Sequence, residues 1–202
     1  AINTLNSGGG IKYFHSNSIL VDSTATGTNS LAAGPLANAG GTDATAVGHN
    51  SAASNTGATA LGVNSIAAGE SGTAVGQVSD ASGTGATALG AGTTASGLTS
   101  LAMGNFALAT ADFSLAAGAS ASARDIGSIA IGHNSVASAE DAVAIGTAAH
   151  ATGGKAVSIG TSNIATGNGA VAIGDPNTAT GTGAVAMGAD NTANGQGSVA
   201  LG

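Results

Sequence analysis

Large and small apolar residues alternate along this chain in short bursts, and each burst ends on a glycine. Val143-Ala144-Ile145-Gly146, Val171-Ala172-Ile173-Gly174 and Val185-Ala186-Met187-Gly188 are examples. A period of two over four or five positions, closed by a glycine-rich turn, predicts β-strand rather than helix. The bursts also keep phase. Thirteen glycines, from Gly34 to Gly202, recur every fourteen residues without insertion or deletion. A fixed period of this length predicts a solenoid, each repeat being one coil stacked on the last.

With the periodic glycine as column 0, the other columns sort by size. Column −2 is Ala in twelve of thirteen repeats, the exception being Ser158, and column +5 is always Ala, from Ala39 to Ala193. Columns −3 and −1 hold larger groups. A second glycine column stands at +7, with Asn55, Ala111, Asp125 and Ala139 filling its gaps. A glycine roughly every seven residues disfavours a helix. Each repeat therefore reads as two short strands and two tight turns, with Gly or Asn at the corners supplying positive φ.

The two Ala columns are expected to face each other across a thin, flattened coil, where nothing larger fits. Columns −3 and −1 then point outward, yet through the last repeats they are apolar: Val143 and Ile145, Val157 and Ile159, Val171 and Ile173, Val185 and Met187, Val199 and Leu201. A strand apolar on both faces is normally buried on both. A continuous apolar stripe of this length calls for a partner, so these ten residues predict self-association along the rod.

Composition narrows the remaining choices. Among 202 residues, 6% are charged, 2% are aromatic and 35 are glycine, which cannot build a core of large side chains. Stacked small residues and inter-coil hydrogen bonds must replace it. A disordered or silk-like tract would not hold a fourteen-residue phase or keep charges out of chosen columns. Asp43, Glu70, Asp80, Asp112, Asp125, Glu140, Asp141, Asp175 and Asp190 all avoid columns −4 to 0 and the invariant Ala column, as do Arg124 and Lys155. They read as a solvated rim. The net charge of −7 argues against a nucleic-acid partner. There is no cysteine, hence no disulfide framework. No apolar run approaches the roughly 18 residues of a membrane span, so no membrane contact is expected of this segment, and no signal peptide is visible. Residues 1–10 read as a Gly-rich lead-in and 11–202 as the β-roll, with 11–24 capping the first coil. The end on a repeat boundary reads as that of a fragment of something longer.

Candidate chemistry is sparse. His49 and His133 share a column but lie six coils apart, about 29 Å at ~4.8 Å per coil, and His150 is in phase with neither. With His15, they read as solvated turn residues. No metalloprotease, nucleophile-elbow or carboxylate-pair pattern is present, so no enzyme, metal or cofactor is expected. A calcium β-roll would need a nonapeptide with periodic Asp. Thr45, Thr59, Thr73 and Thr87 stack in one column, but Val or Leu stands two residues on, which disfavours the paired Thr ladder of an ice-binding solenoid. Lys12-Tyr13-Phe14-His15 is placed over the first coil. Phe106 and Phe113 interrupt the small-residue rod, either as packing or as an exposed contact patch.

The repeat running from Ala165-Thr166-Gly167 to Ala170-Val171-Ala172-Ile173-Gly174 resembles the head repeat of the YadA-like trimeric autotransporter adhesins. The opening Ile11-Lys12-Tyr13-Phe14-His15-Ser16-Asn17-Ser18 and the Gly34-Pro35 step are similar to the start of such heads. The resemblance covers about residues 11 to 202. It implies an all-β fold, a left-handed parallel β-roll of fourteen-residue coils assembled as a homotrimer. It also implies a place on the bacterial cell surface outside the outer membrane, and binding to host extracellular matrix or host cells. The ten outward residues above then become the candidate trimer interface. The alternative is a structural spacer within a longer adhesin whose binding site lies elsewhere. Leu31, Thr45, Thr59, Thr73, Thr87, Leu101 and Leu115 depart from the Val and Ile of the family pattern, so the inter-subunit core is expected to be less apolar in that half. The family's neck, stalk and membrane anchor are absent from this segment.

Overall fold

The computed structural model describes residues 17–202, and it is a parallel β-solenoid of thirteen coils. Two thirteen-stranded sheets run its length. The wide sheet begins at Leu31–Ala33 and ends at Val199–Leu201, with strands of three or four residues across columns −3 to 0. The narrow sheet begins at Thr24–Ala25 and ends at Asn191–Ala193, with strands of two or three residues centred on columns +4 and +5. Strands are thus shorter than the four or five positions of the alternating bursts, because the flanking residues are spent on turns.

Every pairing is parallel with a register of exactly one repeat. Val143 lies beside Val157, Val157 beside Val171, and Ala137 beside Ala151. Identical columns therefore stack into ladders, and backbone donors find the neighbouring coils: Val143 N donates to Ala156 O of the next at 2.8 Å and Gly146 N to Ile131 O of the one before at 2.7 Å. That answers the hydrogen-bonding demand of a strand with little side-chain mass.

The interior holds the expected Ala columns. Ala144, Ala172, Ala137 and Ala165 are fully buried, as is Ser158. It also holds two columns that the apolar pattern does not reveal, −4 and +3. Ala142, Ala156, Ser100 and Ser128 occupy the first; Ser51, Ser65, Thr93, Ser135 and Asn163 occupy the second, and all are buried. A buried hydroxyl must be paired, and these are paired locally. Ser135 Oγ donates to Gly132 O at 3.0 Å and Ser100 Oγ to Gly97 O at 2.8 Å. Each bond runs back three residues, once in each turn. The coil is thus two similar seven-residue halves, with column pairs −4/+3, −2/+5 and +2/+9 playing equivalent parts.

Both turns close with a backbone bond from the fourth residue to the first, as in Ser135 N to Gly132 O at 3.3 Å and Ala142 N to Ala139 O at 3.1 Å. Their third residues, columns +2 and +9, have positive φ, the feature of a type II turn. Asn134 (56°), Asp141 (54°) and Gly183 (64°) occupy them. Column 0 has positive φ as well, 121° at Gly132. The second glycine column behaves differently from expectation. Gly153, Gly167 and Gly181 are not in the left-handed region. They are needed because the next coil crosses there: a Cβ on Gly167 would overlap the carbonyl of Gly181. The +7 glycine answers close approach, columns +2 and +9 answer backbone conformation, and column 0 answers both, since a Cβ on Gly132 would also lie 2.5 Å from Gly146 O.

In the last three coils column +3 becomes Asn, and the turn is stitched by its side chain. Asn163 Nδ2 donates to Ile159 O at 2.8 Å and to Gly174 O at 2.5 Å. Asn191 repeats the pattern toward Met187 and Gly202. Pro176 stands at column +2 in this region, where its ring forbids the positive φ found elsewhere, and the amide of Asn177 takes over the turn's hydrogen bonding.

Candidate interaction surface

A coil this thin leaves four outward surfaces: one face on each sheet and two turn edges. The face of the wide sheet is the apolar one. Val143, Val157, Val171, Val185 and Val199 stand in one continuous ladder, and Ile145, Ile159, Ile173, Met187 and Leu201 in a second beside it. Most are half-buried by their own neighbours above and below; Met187, Val199 and Leu201 are exposed. The ten residues singled out from sequence therefore share one face. Toward the other end the same ladder reads Leu31, Thr45, Thr59, Thr73, Thr87, Leu101, Leu115 and Ile129, so four hydroxyls replace branched apolar groups over four successive coils.

The narrow sheet's outward face is mixed. His150, Val136 and Ile164 are adjacent on it, as are Ile66, Asp80 and Thr94. His150 is thus a strand residue, not a turn residue as its column suggested. Its column, +4, alternates with the invariant Ala and so points away from the interior. Asp80 is also on this face, half-buried, with Oδ1 unpartnered. His49 and His133 are in the turn edge at column +1, six coils apart as the phase requires. His15, Lys12, Tyr13 and Phe14 lie outside the described residues.

Most acids occupy the turn edges and are exposed: Asp43, Glu70, Asp112, Glu140, Asp141, Asp175 and Asp190. Several cap backbone within the turn ladder. Asp112 Oδ1 accepts from Leu98 N at 2.8 Å and Asp125 Oδ1 from Ile126 N at 2.8 Å. Side-chain ladders run between coils, as in Asn50 Nδ2 to Asn64 Oδ1 at 2.9 Å. Among the described residues no three His, Asp or Glu side chains gather where they could hold a metal ion. No helix among them is long and apolar enough to cross a membrane.

Phe106 and Phe113 resolve in favour of exposure. They are 61% and 60% exposed, on opposite turn edges of one coil. Both adopt positive φ, 56° and 59°, where a bulky residue is an outlier. In other coils Gly, Asn, Asp and Ser share those columns, the residue types that favour a positive-φ corner.

What the arrangement offers among the described residues is long, shallow and repeated. The description "YadA head domain repeat", in its two-copy form, matches residues 25–51, 53–79, 81–107, 95–121, 126–149, 151–175 and 179–202. Each match takes in about two coils, and together they run from the first strand to the last. No curated protein matches the chain.

Proposed function

From the premise that the chain belongs to the YadA head domain family, we propose that it is the adhesive head of a bacterial trimeric autotransporter adhesin. On this reading three left-handed coils assemble side by side as a homotrimer. The outward ladders Val143–Val199 and Ile145–Leu201 form the inter-subunit core, which removes the one long apolar face from water. The head stands on the cell surface, outside the outer membrane. It binds host extracellular matrix or host cell-surface components through the turn edges and the narrow sheet's outer face.

The observation that carries the reading is the unbroken repeat. One matched unit after another presents the same columns, with a mixed face on one side and, through the last coils, an apolar ladder on the other. Many weak contacts along three rods sum to useful avidity. The head is an adhesin-type module without a catalytic role. The experiment that tests it is a solid-phase screen of the assembled protein against collagen, laminin and fibronectin, with light scattering to establish the trimer. Saturable binding to at least one is expected. Failure to bind any, by an intact trimer, would turn the reading to a structural spacer.

A further inference from the structure

The narrow sheet's outer face carries the chain's sole arginine, Arg124. Its outward columns are +4 and +6, on either side of the buried Ala of column +5. Column +6 holds a hydroxyl in most coils, as at Ser82, Ser96, Thr110, Ser138, Thr152 and Thr166. Arg124 interrupts this run between Thr110 and Ser138. The backbone ladder continues through it: Thr110 N donates to Ala123 O and Arg124 N to Ala137 O, both at 3.0 Å. The interior hydroxyls are spent on carbonyls of their own turn, as at Ser100 and Ser135. Those of column +6 point to solvent.

Arg124 is held in one orientation. Its Nε donates to Ser122 Oγ at 2.6 Å, so the side chain lies back across the sheet from column +6 to column +4. Ser122 stands between Leu108 and Val136 in the +4 ladder and is smaller than either, which leaves a notch for the guanidinium. It is 3% exposed, the one buried residue of its outward column. Among the described residues Ser122 is the one hydrogen-bond partner of the Arg124 side chain, so the Nη donors are left for a ligand. The carboxylates of the adjoining turn edge are engaged with backbone: Asp112 Oδ1 accepts from Leu98 N and Asp125 Oδ1 from Ile126 N, both at 2.8 Å. The carboxylate on the face itself, Asp80, lies three coils away, about 14 Å at ~4.8 Å per coil.

We propose that Arg124 and the hydroxyls beside it form a binding site for a terminal acidic sugar, a ring that carries one carboxylate. The planar fork takes the carboxylate through two parallel N–H···O bonds. Thr110 and Ser138, one coil to either side, bond the hydroxyls of the ring. A single fork holds a single carboxylate. A polyanion would need a row of cations along the rod, and it would meet the exposed acids Asp112, Glu140 and Asp141 of the turn edge. The proposal rests on the adhesive reading and names a ligand class for it. For a matrix protein the site is one contact among many; for a small sugar it is the whole binding surface.

The test titrates the full chain with sialyllactose, followed by ligand-observed NMR, which registers the weak affinity of a site without a deep cleft. Lactose is the neutral control. Polyglutamate presents carboxylates without a sugar, and hyaluronate carries its carboxylates within a polymer. The native chain is expected to bind sialyllactose saturably and lactose not at all. Arg124→Ser is expected to weaken binding by about tenfold or more, the scale of a lost charge-assisted pair. Its thermal melt should be unchanged, because Ser54, Ser82 and Ser138 fill the same column in other coils. Arg124→Lys keeps the charge without the fork and should fall between the two. Lys155→Ser, which removes a cation from the turn edge, should bind as the native chain does. Equal binding of lactose and sialyllactose, or binding retained in Arg124→Ser, would overturn the proposal. So would polyglutamate or hyaluronate that bound through Arg124 more tightly than the trisaccharide. A chain that ignores sialyllactose yet adheres to collagen, laminin or fibronectin overturns the sugar site and leaves the adhesive reading standing. A chain that binds none of them overturns both.

Discussion

Asn177 joins two coils through one amide nitrogen: its Nδ2 donates to Ile173 O at 2.9 Å and to Gly188 O at 2.7 Å in the following coil. Its Oδ1 accepts from Asn191 N at 3.1 Å. The Asn177 side chain is buried, so its amide has these partners in place of water. Asn177→Ala is therefore expected to cost about 1–3 kcal/mol, the loss of its own buried hydrogen bonds, although Gly188 O keeps the bond from Asp175 N at 3.1 Å. Asn177→Ser should cost less, because Ser at this column elsewhere donates to the glycine three residues back, as Ser135 does to Gly132. Chemical denaturation of the three proteins checks the order. An unchanged midpoint for Asn177→Ala would mean that water replaces the amide there.

The two classes of positive-φ glycine should respond differently to a methyl group. Gly132 has φ 121°, and an added Cβ would lie 2.5 Å from Gly146 O. Gly183 has φ 64° and nothing within 4 Å of an added Cβ. Gly183→Ala meets only the left-handed penalty of about 1–2 kcal/mol. Gly183→Asn should be closer to neutral, since Asn tolerates that conformation and already holds it at Asn134 and Asn64. Gly132→Ala bears the backbone penalty and the clash together, and should be the most destabilising of the three. Thermal melts that placed Gly183→Ala below Gly132→Ala would contradict the assignment of column 0 to close inter-coil approach.

Much of this fold could be read from residue types, and the reason is economy. A coil with no room for large side chains must use Ala where it is tightest, so columns −2 and +5 announced the interior directly. The matching inner columns −4 and +3 did not, because Ser51, Thr93 and Asn163 look like surface residues until the carbonyls that they satisfy are seen. The same masking affects conformation. Phe113 and Lys155 share a column with Gly127 and Gly169, and the backbone places all four at positive φ although neither Phe nor Lys marks it by residue type. Glycine at +7 misled in the opposite sense: its abundance suggested a corner, whereas its use is to let the next coil's carbonyl pass. The outward ladders were legible as a surface, since their residues fall two apart around an Ala. Which molecule covers them is a property of the assembly, and one chain's residue pattern carries only the need for a cover.

Ala172 and Ile173 are neighbours with opposite surroundings, which makes them a test of strand facing. Ala172 is fully enclosed and Ile173 points outward, half-buried. Ala172→Leu inserts three carbons into a space bounded by both sheets, and overpacking of this kind costs about 1–3 kcal/mol. Ile173→Val removes one methylene at the outer ladder, expected to cost about 0.5–1.5 kcal/mol if that ladder is covered in the assembly. The Leu variant should melt lower. In a monomeric preparation the Val variant should melt with the native chain. A Val variant less stable than the Leu variant would invert the two faces.

Adhesion, under the proposed function, should be distributed along the rod. Outside the exposed apolar groups such as Phe106 and Phe113, the turn edges offer small polar groups coil after coil. A ligand lying along the axis crosses many coils and gains little from each, so its affinity scales with the length engaged rather than with any one side chain. Asn134 is an exposed turn residue of this type. Asn134→Ala is expected to weaken matrix binding by less than about threefold, the scale of a lost surface contact near 0.5 kcal/mol. In-phase deletion of 14, 28 and 56 residues should weaken it progressively, since each deletion removes whole coils and rejoins identical columns without disturbing the ladders on either side. Binding isotherms for the assembled variants, with mass confirmed by light scattering, separate a distributed surface from a local one. Complete loss of binding from Asn134→Ala in an intact assembly, or full retention after removal of 56 residues, would each point to a single localised site and reject the distributed surface.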